Sequence, residues 1–325
     1  MVCSRSLVGA GVRAAGEPMA GSGCFRPSCQ FEQLEKASVM SMRLRWRAPA
    51  RHVAVFCFTV LAALVVQLAP VKSAFGQSGL AQGPGGPILV ITSPTATFST
   101  YYAEILRAEG LNAFAVADIS TVTPTLLSSH SVAILAPMSL SASQVTMLTN
   151  WVNAGGNLIA MRPDSQLAGL LGITFESGTV NDGYLLVDTK TRVGNGIVGE
   201  TIQFHGTAQR YALAGAERIA TLYTTATAAT TSPAITLRSV GVNGGQAAAF
   251  AYDLATSIVL TRQGNPAWVD QDRDGLPPTR SNDLFYGDAA FDPQPDWIDR
   301  TKVHIPQADE QQRLLVNLIL HMNLD

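Results

Sequence analysis

The sequence predicts an α/β fold: a doubly wound parallel sheet with an antiparallel, β-rich extension and a C-terminal helix. Three observations point there. Residues 131–163 read strand, helix, strand, with chemistry marking each boundary. Earlier apolar runs (Ile88–Thr92, Phe114–Ala117) alternate with helical periodicity and carry no charge, as strands buried on both faces do. After Thr174 the composition shifts to Thr, Val, Ala and Gly in short runs separated by turn signals.

Taken from the start, residues 1–39 lack clear periodicity and read as an upstream extension outside the functional chain. Residues 40–76 have the form of a secretory signal. Arg43, Arg45, Arg47 and Arg51 form a basic n-region, Val53 to Ala69 an apolar core, and Ser73-Ala74-Phe75-Gly76 a small-residue exit. The expected location is periplasmic or secreted; the competing reading is an uncleaved anchor in the inner membrane facing the periplasm. Residues 77–87 read as a Gly/Pro linker to an α/β domain over 88–325.

Within 88–325, Ser93-Pro94 ends the first strand and Tyr101, Tyr102, Ile105 and Leu106 share a helix face that Gly110 closes. Asp118 sits at the carboxyl end of the second strand. In the central unit, Val132–Leu135 is a strand, and Ser141 with Gln144 has capping-box spacing. Val145, Leu148 and Val152, widened by Met147 and Trp151, form the buried stripe. Gly155-Gly156 stops the helix, and Asn157–Met161 is the next strand. A short helix is expected in DSQLAGLLGI. Strand-like runs follow at Tyr184–Val187, Thr201–Phe204, Arg218–Tyr223, Ala234–Leu237 and Ala247–Tyr252. They are expected to form an antiparallel extension lying against the sheet or continuing it. A helix over Asp253–Thr261, a proline-rich loop region and a terminal helix over Ala308–Asn323 complete the chain; in the last, Leu314, Leu315, Leu318 and Ile319 face inward while Asp309, Glu310 and Arg313 stay wet.

Composition excludes several functions. The cysteines (3, 24, 29 and 57) all precede Gln77, so a disulfide framework and a thiolate metal site are excluded for the region after it. From Ser78 onward there are 13 Lys or Arg against 21 Asp or Glu, a net charge near −8, with no basic cluster among aromatics; nucleic-acid binding has no support.

Ligands of doubly wound sheets bind outside the carboxyl ends of the strands. That rule places Ser93, Asp118, Ser139, Arg162 and Asp164 along one rim. His205, ending a strand, could act as a general base, with Asp164 or Asp253 as carboxylate partners; a hydrogen-bonded structural histidine is the plainer reading. Arg262 could clamp a carboxylate bidentately, or tie its loop to Asp253 or Asp270. Asp270, Asp272 and Asp274 before Gly275 resemble the start of an EF-hand calcium loop, but its twelfth position is Ser281, not Glu. A solvated acidic turn competes with Ca²⁺, and no cofactor is otherwise expected.

The segment APMSLSASQVTMLTNWVNAGGNLIAMRP resembles class I glutamine amidotransferase-like domains, in particular the non-catalytic branch of trehalose-utilisation-like proteins and β-galactosidase trimerisation domains. The later FHG, IATLY and AAAFAYDLATSIVLTRQGNPAW are similar to segments of large exported bacterial proteins of unknown function. The resemblance implies a flavodoxin-like fold. It also implies a nucleophilic Cys on the tight turn at residues 160–165, where this chain has Ala-Met-Arg-Pro-Asp-Ser; no His-x-Glu partner occurs either. Without a thiolate, glutaminase activity is not expected. The leading expectation is therefore an exported non-catalytic domain that binds a carbohydrate or an envelope protein. The alternatives are a hydrolase of envelope carbohydrate using His205 and rim carboxylates such as Asp118, Asp164 or Asp253, or a structural accessory to a separately encoded deacetylase-like domain.

Overall fold

The computed structural model of the chain describes residues 82–287 and 296–323; the upstream extension and the signal segment lie outside the described residues. Among the described residues no helix is long and apolar enough to cross a membrane.

The strands are β1 (Ile88–Thr92), β2 (Phe114–Asp118), β3 (Val132–Leu135), β4 (Asn157–Met161), β5 (Ile173–Asn181), β6 (Tyr184–Val187), β7 (Ile202–Gln203), β8 (Thr207–Leu213), β9 (Glu217–Tyr223), β10 (Ala229–Val240) and β11 (Gly245–Phe250). The α-helices are α1 (Tyr102–Ala108), α2 (Pro124–Ser128), α3 (Ala142–Asn153), α4 (Ala168–Leu171), α5 (Leu254–Gln263) and α6 (Gln307–Asn323). Nine strands form one mixed sheet in the order β2-β1-β3-β4-β11-β10-β9-β6-β7, and β5 pairs with β8 separately.

The first five strands of that order are parallel, and β1, β3 and β4 are buried along their whole lengths. The residues explain this: uncharged runs pay no desolvation cost when both faces are covered. Helix α3 starts with the capping box that its spacing predicts: Ser141 Oγ accepts from the Gln144 amide and Gln144 Oε1 accepts from the Ser141 amide at 2.9 Å. It ends at Gly155, whose φ of 110° suits glycine, and a Cβ on Gly156 would strike the Trp151 ring.

One expectation changes, one alternative left open is decided, and one segment outside the strands is tied to the sheet. The run at Ala247–Tyr252 is not antiparallel extension throughout: β11 lies parallel to β4, from Gln246 against Asn157 to Phe250 against Met161, and antiparallel to β10. It is the strand at which the sheet changes character. The antiparallel strands β10, β9, β6 and β7 continue the sheet beyond it rather than lying against it. Residues 82–87, read as linker, are tied along β2, with Gly85 N–H donating to Phe114 O at 2.8 Å and Val116 N–H to Gln82 O at 3.1 Å.

The C-terminal helix is held by polar as well as apolar contacts. Leu314, Leu315, Leu318 and Ile319 are buried in the common core. Gln311, with no exposed surface, accepts from Tyr252 Oη (3.0 Å) and Ser257 Oγ (2.9 Å) and donates to the carbonyls of Gln203 and Gln307. Gln307 Oε1 accepts from the Gln203 amide at 2.6 Å. One glutamine side chain thus joins α6 to α5, β7 and the end of β11. Glu310, expected in water, is buried; it accepts from the Val198 amide at 2.8 Å and pairs with Arg313 at 2.9 Å.

Leu315 is fully buried, so Leu315→Ala should destabilise the protein by about 2–5 kcal/mol, the cost of a buried Leu-sized cavity. A thermal melt checks this; an unchanged midpoint would show that α6 is not an integral layer.

Candidate functional site

The carboxyl ends of β1, β3, β4 and β11 open onto one rim, and two clefts lie there. The first, about 370 Å³, is lined by Thr95, Thr97, Arg162, His205, Thr207, Asp253 and Thr256 among others. The second, also about 370 Å³, shares Thr95, Pro137 and Arg162 with it and adds Ser139, Asp164 and Ser165. Each is within the usual size range of small-ligand pockets.

Arg162 belongs to both. It follows the last residue of β4 with a φ of 39°, in the left-handed region that side chains other than glycine enter at a cost of about 1–3 kcal/mol. The turn is held because its N–H donates to Phe250 O at 2.9 Å, extending the β4–β11 ladder by one bond. The exposed guanidinium makes no hydrogen bond or ion pair among the described residues. The phenol of Tyr211 lies near enough to feel its charge; burial, the larger influence, pushes that phenol up and Arg162 pulls it down.

His205 lies in the wall of the first cleft at 1% exposure, stacked on Trp297 with ring centroids 4.4 Å apart and planes 14° from parallel. Its Nδ1 is 3.8 Å from Asp182 Oδ1, too far for a hydrogen bond. Burial pushes the imidazole below its ordinary pKa, and the Asp182 carboxylate only partly opposes this. Asp182 itself accepts from the Gly206 amide at 2.8 Å.

The rim carboxylates are all engaged by the protein. Asp253, the residue before α5, accepts from Tyr102 Oη and from Thr256 Oγ1. Asp164 accepts from the Leu140 amide at 2.9 Å and the Gln166 amide at 2.8 Å; burial raises its pKa, but these bonds outweigh it and hold it low. Asp118 accepts from the hydroxyl (2.6 Å) and the amide (2.9 Å) of Ser120, which hold its carboxyl below the usual range.

The structure therefore brings Arg162, His205 and Asp253 to one cleft, with Ser139 and Asp164 next door. Ser93 and Asp118 line neither. Ser93 is buried beneath the loop, sharing a hydrogen bond with Thr95 at 2.8 Å and accepting at its carbonyl from Ser99 Oγ. Arg262 corrects an expectation: it ties neither Asp253 nor Asp270 and stands off the rim, pairing with Asp309 of α6 at 2.9 Å and donating to Gln312.

A third cavity of about 590 Å³, which the sequence reading did not anticipate, is lined by Asp182, Tyr184, Gln203, Asn265, Trp268 and Trp297 among others. Its signal was the pair of tryptophans in a proline-rich segment, visible in the sequence without any indication of what they face. One face of Trp268 is covered by Arg273 at 3.3 Å, and one face of Trp297 by His205.

Of the calcium-loop residues, Asp272 and Asp274 come together, joined by Asp283 instead of Asp270. The Asp283 carboxylate is buried and accepts from the amides of Arg280 (2.7 Å) and Arg273 (3.2 Å); the Arg280 bond is the largest influence holding its pKa low. Asp274 pairs with Arg280 at 3.0 Å. Backbone amides and an arginine thus engage oxygens of Asp283 and Asp274, while Asp272 is exposed.

No family model matches the chain, and no curated protein sequence matches it. Among solved structures, it is similar to the cold-adapted β-galactosidase from Rahnella sp. R3 (17% identity, TM-score 0.42, 62% of this chain and 32% of that one). It is also similar to the β-galactosidase from Bacillus circulans sp. alkalophilus (11%, 0.42, 55% and 31%). A third is the exo-β-1,4-mannosidase from Opitutaceae bacterium strain TAV5 (14%, 0.43, 55% and 33%). The chain thus spans about a third of the length of these glycosidases. At these scores the likeness carries no functional argument, and the chemistry has to be read from the site.

Two outcomes follow. The unfolded-state pKa of His205 is near 6.5, and its folded value is lower. Its contribution to stability is therefore complete above that pH and is lost as pH falls toward the folded pKa. Between pH 7 and 5 the melting point of the wild type should fall more than that of His205→Phe; equal falls would show that the histidine is not buried in neutral form. Calorimetry should find no Ca²⁺ binding tighter than about millimolar, the weak end for such loops; micromolar binding abolished by Asp272→Ala would overturn this.

Proposed function

We propose that the chain is an exported, non-catalytic domain, doubly wound and amidotransferase-like, that binds a carbohydrate of the cell envelope at the rim clefts. One observation carries the reading: among the described residues the rim offers hydroxyls and a cation, but no carboxylate free to work as an acid or base. Hydrolysis of a glycosidic bond needs two carboxyl groups facing each other across a gap, each able to exchange a proton or attack. Here Asp118, Asp164 and Asp253 spend their lone pairs on backbone amides, serine or threonine hydroxyls and the Tyr102 phenol.

Binding is supported by the lining itself. Thr95, Thr97, Ser139 and Thr207 present short polar side chains to a space of ligand size, which suits a ligand with many hydroxyls better than an apolar cofactor. The doubly wound reading is supported by the helix contacts, since α1 bonds to the start of α5, α5 packs on α6, and α2 packs on α3. Export rests on residues 40–76, and a periplasmic or secreted location with an envelope protein as second partner goes with it.

The test pairs binding with turnover. Soluble envelope oligosaccharides titrated into the full-length chain should give saturable heat with no release of reducing ends. Release that Asp253→Asn abolishes would establish the hydrolase instead.

A further inference from the structure

Building on the reading of the rim clefts as a carbohydrate site, we infer that the ligand carries an oxyanion group (a carboxylate, sulfate or phosphate) and that Arg162 receives it. Arg162 stands where the two clefts join, lining both. Its guanidinium makes no hydrogen bond or ion pair among the described residues. Other arginines of the domain are neutralised locally: Arg107 by Glu104, Arg210 by Glu176, Arg262 by Asp309, Arg280 by Asp274 and Arg313 by Glu310. Arg218 and Arg238 donate to backbone carbonyls, whereas the Arg162 fork lines the two clefts and stays available to an oxyanion supplied from outside. The planar fork of arginine matches carboxylate, sulfate and phosphate oxygens in pairs.

The surroundings are consistent with an anion. Tyr211, whose phenol feels the charge of Arg162, is 1% exposed and lines neither cleft, so it brings no competing negative charge to the ligand space. Two carboxylates share the clefts and could repel the ligand. Asp253 is countered by the Tyr102 and Thr256 hydroxyls at the positive N-terminal end of α5. Asp164 is countered by two backbone amides.

The backbone adds a separate reason. Residue 162 holds a φ of 39°, which glycine would adopt without strain. A large charged side chain sits there instead, so removing it should relieve strain. A purely structural arginine would behave in the opposite way.

Calorimetry of the full-length chain at low salt, with glucuronate, glucose, sulfate and inorganic phosphate as probes, tests the inference on wild type, Arg162→Gly and Arg162→Lys. Glucuronate should bind at least tenfold more tightly than glucose. Arg162→Gly should weaken glucuronate about ten- to a hundred-fold, the span of a charge-assisted hydrogen bond, while its melting point stays level or rises. Arg162→Lys should recover part of the affinity, as a point charge without the fork. Sulfate or phosphate bound through Arg162 with no response to either sugar would keep the anion site and reject the carbohydrate reading. Glucose and glucuronate bound alike would do the reverse. Anion binding unchanged in Arg162→Gly, or a sharply lower melting point with affinity intact, would overturn the role of Arg162. Silence from all four probes would overturn both readings.

Discussion

The pairing of β4 with β11 is the contact on which the rest of the structure depends. It joins strands 84 residues apart between Met161 and Gly245, and it is the last parallel pairing before β11 meets β10 antiparallel. Both main walls of the first cleft follow from it, because Arg162 leaves β4 and Asp253 follows β11 at the same edge. The approach is tight. A Cβ on Gly245 would fall 1.9 Å from the Val152 carbonyl oxygen, so only glycine lets β11 begin beside the end of α3. At the other end, the bond from Arg162 N–H to Phe250 O keeps the ladder going one residue past β4 and holds the strained turn in place. Strain of this kind persists only where the surroundings over-determine it.

This pairing also separates what was legible in the sequence from what was not. Strands buried on both faces announce themselves as short uncharged runs, so Ile88–Thr92, Val132–Leu135 and Asn157–Met161 were readable to the residue. The existence of β11 was readable from Ala247 onward, but not its direction. Parallel and antiparallel partners are chosen by residues far away in the chain, and nothing in Gln-Ala-Ala-Ala-Phe encodes which neighbour it will have. Strands β5 and β8 escaped for another reason. Each buries only two residues, Ile173 and Val180 in β5 and Ala208 and Tyr211 in β8, and their pairing shifts register between Phe175 and Thr179, so neither shows the dense apolar run that marks a core strand.

For the site, the topological rule that ligands sit beyond the strand ends was enough to draw Arg162, Ser139 and Asp164 together. It could not exclude Ser93 or Arg262, since facing a cleft and lying under it look the same in a sequence. Arg262 went astray because its partners, Asp309 and Gln312, arrive from a helix 47 and 50 residues away. Glu310 was misplaced by the same logic. Helical spacing set it on the wet face, but a loop amide, Val198 N–H, comes to meet it there and offsets the cost of burial.

The proposed role rests on the electrostatics of the rim. A catalytic carboxylate has to be kept poised, with its charged form neither over-stabilised nor locked in place. Hydrogen bonds from the protein do the reverse to Asp118 and Asp164, holding both pKa values low and fixing both side chains as caps. His205 has lost its reach in a different way, sandwiched against Trp297 with burial suppressing its protonation. What the rim keeps unspent is the guanidinium of Arg162, on the turn that follows β4. The guanidinium on that strained turn can form bonds to an anion but no covalent intermediate. On the proposed reading, the bond from Arg162 N–H to Phe250 O that holds the turn also fixes where that guanidinium meets a ligand entering the cleft.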